Sequence, residues 1–206
     1  MIPRLPRLPQ LAFGVVLLAS GGLAAQGLTS SLDFSQRQLE AAFLQAEGYS
    51  AADCQATAHG FTCGGDFGDS YERPAVLHVD VTGDGATEAM VTAQSWPLND
   101  GISVNASSQS SRILTVSAGR LREVPLRPRC EGAMSAHEGG ATCIRAIWDS
   151  DDPRYSRAAG PAYELRQAYR YDAGSGSLKP AGAASRRELL KACGDELIRI
   201  EDRCGD

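Results

Sequence analysis

The 206-residue chain has no cluster of lysine or arginine. Its 20 basic side chains are scattered among 25 acidic ones, for a formal net charge of −5. A phosphate-binding footprint needs a basic patch, so nucleic acid is excluded as a partner class. Beyond residues 11–19 there is no apolar run, and that one is short of the about 20 residues a bilayer span takes. No CxxC or HxxxH pair occurs: the closest cysteines, Cys54 and Cys63, are nine residues apart, and His59, His78 and His137 stand alone. The ligand spacing of a zinc site is therefore missing. The GxSxG turn of serine hydrolases is also absent.

What is present begins with a leader. Arg4 and Arg7 precede the apolar run, and Gly21, Gly22, Ala24 and Ala25 follow it. That layout predicts a secretory signal peptide over residues 1–25, cleaved after Ala24 or Ala25, and a single domain over 26–206. An uncleaved anchor is the alternative. No cysteine stands at the cleavage site to carry a lipid. The expectation is a secreted or periplasmic protein with no membrane-spanning segment once the leader is removed.

Cys54, Cys63, Cys130, Cys143, Cys193 and Cys204 all follow the leader. In an exported chain an even count reads as disulfides, three here. Pairing neighbours along the chain is one of fifteen connectivities. It is easy for the first two pairs, which enclose Gly-containing turns. A single helix from Arg186 to Cys204 would hold Cys193 and Cys204 about 16 Å apart at 1.5 Å per residue. A disulfide needs Cα atoms within about 7 Å. Local pairing thus requires a break near Gly194 and Asp195, and the alternation of Ile198 and Ile200 with charged residues allows a strand there.

Along the chain, "DFSQRQLEAAFLQAEG" predicts an amphipathic helix. Ser35 and Gln38 have capping-box spacing, Leu39, Ala42, Phe43 and Ala46 share a face, and Gly48 is placed to end it. "PAVLHVDV", "TEAMVTAQ", "TCIRAIWD" and "AYELRQAYRYD" read as strands, and "RILTVSAGRLREV" as a hairpin turning at Ala118 and Gly119. Residues 125–141 read as irregular. Ser185 and Glu188 have capping-box spacing before "RRELLKAC". The fold expected is α+β: a mainly antiparallel sheet of five to seven strands, an N-terminal helix and a C-terminal helical segment.

The stretch "VDVTGDGATEAMV" carries the clearest chemistry. Oxygen-bearing side chains stand at Asp80, Thr82, Asp84 and Glu88, with Ala86 placed to offer a carbonyl and Gly85 to make a sharp bend. Calcium takes six to eight such oxygens from a tight turn. Val91 occupies the twelfth position, where an EF-hand has its glutamate, so an EF-hand is disfavoured. The loop resembles the Asp-rich loop of FG-GAP and VCBS repeats, a DxDxDGxxD/E turn between two strands. That resemblance implies calcium held by the side chains of Asp80, Asp84 and Glu88, the carbonyl of Ala86 and, in place of an acidic residue, Thr82. Those families build propeller blades from several copies, whereas this chain has one. A lone loop of this kind also resembles small exported proteins of the LppP/LprE type. The bland reading is a β-turn in which Asp80 and Asp84 bond local N–H groups.

His78 and Asp80 share strand parity and could form a general-base pair. Asp149, Asp151 and Asp152 precede Pro153, where metal binding and an Asx-turn compete. Asn105 begins a glycosylation sequon. Trp96, Trp148, Tyr163, Tyr169 and Tyr171 suit a binding face or core packing. Three functions fit: a non-enzymatic exported module that binds calcium, a protein or a cell-envelope partner; an inhibitor of a secreted enzyme; and a hydrolase working with acidic residues. An inhibitor is recognisable by an exposed loop bearing an anchor side chain.

Overall fold

A computed structural model describes residues 30–103, 107–148 and 151–204. In chain order they form a helix α1 (Gln36–Glu47) and strands β1 (Cys54–Ala56), β2 (Gly60–Cys63), β3 (Asp69–Glu72), β4 (Ala75–Val79) and β5 (Glu88–Asn99). Then come β6 (Ile102–Ser103), β7 (Ser108–Ser117), β8 (Arg120–Glu123), β9 (Ala133–His137) and β10 (Gly140–Ile147). The chain ends with β11 (Tyr163–Asp172), β12 (Ser177–Pro180), β13 (Ser185–Glu188), β14 (Leu190–Cys193) and β15 (Glu196–Arg199). The class is mainly-β and antiparallel, which overturns the expected α+β fold.

The expected C-terminal helical segment is three short strands. The capping-box spacing of Ser185 and Glu188 is a weak local preference, and tertiary pairing overrides it. β11 has an open edge whose N–H and C=O groups need partners. β13 supplies them, with Tyr163 opposite Glu188 and Arg166 opposite Ser185. Arg186 also stacks 3.7 Å over the Tyr163 ring. Gly194, at φ 59°, then turns β14 into β15. Residues 125–141, expected to be irregular, contain β9. Its alternation rests on two buried side chains, Met134 and Ala136, and is too short to stand out in the sequence.

The remaining local readings correspond to observed elements. The Ser35 N–H donates to Gln38 Oε1 at 2.9 Å, and Gly48 ends α1 at φ 101°. β7 and β8 form a hairpin through Ala118 (φ 52°) and Gly119 (φ 71°).

β5 is the spine. One edge pairs with β7 along residues 89–95; the other takes β4 at its start and β3 further on. The first sheet runs β1-β2-β3-β5-β7-β8, and β4 and β6 also pair with β5. The period of two in a strand sends Ala89, Val91 and Ala93 to one face, where they pack with Leu114 against Leu39, Phe43 and Leu44 of α1. The opposite face, with Met90 and Ile113, packs on the second sheet, β12-β11-β10-β9, through Met134, Ala136, Ala141 and Tyr169. No helix among the described residues is long and apolar enough to cross a membrane.

The three disulfides are Cys54–Cys63, Cys130–Cys143 and Cys193–Cys204, with Cα separations of 4.1, 5.6 and 5.5 Å. All three pair neighbours along the chain. The last spans the β14–β15 hairpin at the break expected around Gly194. Unfolded, non-reduced protein is therefore expected to take up no alkylating agent, and peptide mapping should recover these three pairs. Two or more reactive thiols, or a crossed pair, refute the arrangement. Removing Cys193–Cys204 should cost about 2–5 kcal/mol, read from denaturant unfolding.

Candidate functional site

The turn between β4 and β5 is built as a nest of carboxylate-to-backbone bonds. Asp80 accepts from the N–H of Gly83 (2.7 Å) on one oxygen and of Gly85 (2.9 Å) on the other. Asp84 accepts from Ala86 N–H at 2.8 Å. Gly83 and Gly85 adopt φ 74° and 85°, a region that favours glycine. Glu88 turns inward and holds the start of the loop from its buried side. It is fully buried and its Oε2 accepts from the N–H groups of Val81 (2.8 Å) and Thr82 (3.1 Å). Its Oε1 accepts from Thr115 Oγ1 on β7 at 3.1 Å. Val81 is buried in the core between the sheets, and Gly139 N–H donates to Asp80 O at 2.8 Å. The turn is thus tied to β5, to β7 and to the β9–β10 hairpin.

Of the five residues the resemblance implies as ligands, Asp80 and Asp84 lie at the turn, with Asp84 exposed and Asp80 half-buried. Ala86 is buried, and the Thr82 hydroxyl is buried with no hydrogen-bond partner. Glu88 is buried beneath the turn, its carboxylate taken by the Val81 and Thr82 N–H groups and by Thr115. Among the described residues no group of three or more His, Cys, Asp and Glu side chains is placed to hold a metal.

The other candidates separate. His78 bonds through Nδ1 with Ser31 Oγ at 2.9 Å, while both Asp80 oxygens serve the turn. Ser31 is fully buried, so this serine–histidine contact presents no accessible nucleophile. Asp152 makes the Asx-turn, accepting from Arg154 N–H at 3.0 Å. The Arg154 guanidinium, 2.6 Å away, holds its carboxyl down at about 2. Asp149 and Asn105 lie outside the described residues. Tyr169 is a core residue whose hydroxyl donates to Pro128 O at 3.1 Å. Tyr163 carries Arg186, Trp96 and Tyr171 are half-buried, and Trp148 is exposed.

Sequence reasoning missed the most exposed apolar feature. At the far end of β5, a short 3-10 turn (Gly65–Phe67) lies against the β5–β6 hairpin. Gly101 N–H donates to Asp66 O (2.9 Å) and Leu98 N–H to Gly68 O (2.8 Å). The residues following that first pair, Phe67 and Ile102, are each 73% exposed. The base of the 64–68 loop is fixed by the Cys54–Cys63 disulfide, with Cys63 fully buried. At Gly68 a Cβ would lie 1.7 Å from Cys63 O, so only glycine fits there. The sequence signal was a large apolar residue directly beside each Gly/Asp pair, in "GGDF" and "NDGI".

Burial raises the Glu88 carboxyl above its ordinary range, outweighing the three hydrogen bonds that lower it. The neutral form is thus favoured more in the folded than in the unfolded chain. Its stabilising contribution is complete below the unfolded value of about 4.3 and is lost as pH rises through the higher folded value. Glu88→Gln keeps an acceptor for Val81 and Thr82 and stays neutral, so its stability relative to wild type should improve between pH 4 and pH 8. Parallel melting profiles of the two proteins refute this. Glu88→Ala strands the Val81 and Thr82 N–H groups and should cost about 2–4 kcal/mol at pH 4, a cost that narrows toward pH 8 as the wild type loses the contribution of its neutral carboxyl. No protein-family model, no curated protein and no solved structure matches this chain.

Proposed function

We propose that the protein is an exported, non-enzymatic interaction module that engages a protein or cell-envelope partner through the Phe67–Ile102 tip. The observation that carries this is the exposure of two large apolar side chains on loops fixed to each other and to a disulfide. Isolated exposed apolar residues are ordinary, but a paired set on a rigid projection suits an anchor that enters a partner's pocket. Rigidity lowers the ordering cost of binding, which is how preorganised loops gain affinity. Asp66 and Asp100 flank the anchors, and residues 74–111 contain no lysine or arginine, so a partner with a basic rim is favoured. An inhibitor of a secreted enzyme is the specific form this reading takes if the tip enters an active-site cleft. Three disulfides fit an oxidising, secreted or periplasmic setting.

The test is the double variant Phe67→Ser/Ile102→Ser. Exposed positions of this kind change stability by about 0.5 kcal/mol or less, so its melting curve should overlay wild type. Immobilised wild type should retain a stoichiometric partner from the envelope or secreted fraction of the source cells, and the double variant should lose it. Equal retention by both proteins refutes the tip as the contact.

Calcium at the Asp80 turn is the second reading, favoured by the exposed Asp84 carboxylate beside Asp80 and by the unpartnered Thr82 hydroxyl. With Glu88 engaged in the core, affinity should fall in the weak extracellular range of about 10⁻⁴–10⁻³ M. Calcium at ten times such a Kd adds about 1.4 kcal/mol. The expected result is a melting shift of a few degrees in millimolar calcium that Asp84→Ala abolishes and Asp151→Asn retains. An unmoved wild-type curve leaves the turn purely structural.

A further inference from the structure

A second feature lies roughly 25 Å from the tip, counted along β5 at about 3.3 Å per residue. Arg112, in the middle of β7, faces the helix side of the first sheet opposite Val91. Its side chain is only 7% exposed and sits 2.9 Å from Glu47 Oε1 at the end of α1. That contact is off the hydrogen-bonding direction: both Glu47 Oε1 and Arg112 Nε are buried without a hydrogen bond. The Nε approaches Glu123 Oε1 only to 3.5 Å. Beside it, Arg129 is 68% exposed, with Glu47 Oε2 at 4.0 Å. The two guanidinium groups line a cavity of about 200 Å³ that also contains Glu123 and an apolar floor of Ile113, Leu126 and Met134.

A buried guanidinium N–H without a partner is costly, and a second, largely solvent-facing guanidinium stands over the same space. Guanidinium groups favour carboxylates because their planar forks match two oxygens. The cavity is smaller than the roughly 300–1,000 Å³ of sites for drug-sized ligands. We propose that this cavity binds a small carboxylate with a short apolar tail, its oxygens on Arg129 and, in place of the Glu123 carboxylate, on Arg112 Nε, and its tail on Leu126 and Met134. Glu123, displaced from Arg112, is then placed to accept from an ammonium group, so a free α-amino acid and a simple short-chain acid share the chemistry the site reads. This site is independent of the tip and of calcium.

The test is titration of ¹⁵N-labelled protein with three probes that share one branched alkyl chain, each to 10 mM: L-leucine, 4-methylpentanoate and, without the carboxyl carbon, isoamylamine. At least one carboxylate probe should shift the amides of Arg112, Leu126 and Met134, and the amine should not. Leucine alone assigns the zwitterion as ligand, and the acid alone assigns the simple carboxylate; either result upholds the site. Arg129→Ala, at an exposed position, should leave melting unchanged and weaken binding at least tenfold, with Arg129→Lys intermediate. Absence of shifts with both carboxylates, equal shifts with the amine, or unchanged affinity in Arg129→Ala overturns the proposal.

Discussion

The buried carboxylate of Glu88 is the contact on which the β4–β5 turn, and with it the place of Val81 between the sheets, rests. It begins β5, faces away from α1, and takes hydrogen bonds from Val81 N–H, Thr82 N–H and Thr115 Oγ1. Those three donors belong to the connecting turn and to the neighbouring strand. One side chain therefore fixes how the chain leaves β4, where Val81 enters the inter-sheet core, and how the turn stands on β7. A buried carboxylate is expensive unless its lone pairs are used, and buried backbone N–H groups are expensive unless accepted. Each need answers the other.

The same β5–β7 pair is shared by both cores. Alternation gives one face to α1 and the other to the second sheet, so a one-residue slip in this pairing would exchange the two sets of side chains. On the helix side, Phe43 meets Tyr71 edge-on with ring centroids 5.9 Å apart. Tyr49 donates to Asp69 Oδ2 at 2.6 Å, and burial with that neighbouring carboxylate pushes its hydroxyl up to about 12. Arg112 and Glu47 join the end of α1 to the sheet across the same layer. At the periphery burial is thin, and cross-links take over. A two-stranded hairpin is marginal by itself, and β14–β15 forms a separate two-stranded sheet closed by Cys193–Cys204.

The tip and the small cavity draw on this frame in different ways. Phe67 and Ile102 are held out by backbone bonds between two loops, anchored on a disulfide and on the end of β5, the longest strand among the described residues. The cavity beside Arg112 arises where α1, β7, β8 and the segment leading into β9 meet, next to the Cys130–Cys143 cross-link. Both lie away from the Asp80 turn, whose carboxylates serve the backbone of their own loop.

What the sequence by itself determined was local. The capping of α1 by Ser35 and Gln38, its stop at Gly48, the β7–β8 turn and the strands flanking the Asp80 loop are set by residues within a few positions of one another. The even cysteine count belongs here too, but the pairing does not: it was one of fifteen until the β14–β15 hairpin brought Cys193 to Cys204. The tertiary structure decided whatever depended on distant partners. Residues 185–188 became a strand because β11 offered an open edge, against their own helical spacing. β9 exists because Met134 and Ala136 find the inter-sheet core. Glu88 lies on the buried side of the Asp-Gly turn because Thr115, 27 residues away, and the Val81 and Thr82 N–H groups take its oxygens. His78 turned from Asp80 to Ser31, 47 residues away, for the same reason. Periodicity and turn chemistry register the short-range energies, while burial and hydrogen-bond satisfaction are settled only when strands far apart in sequence meet.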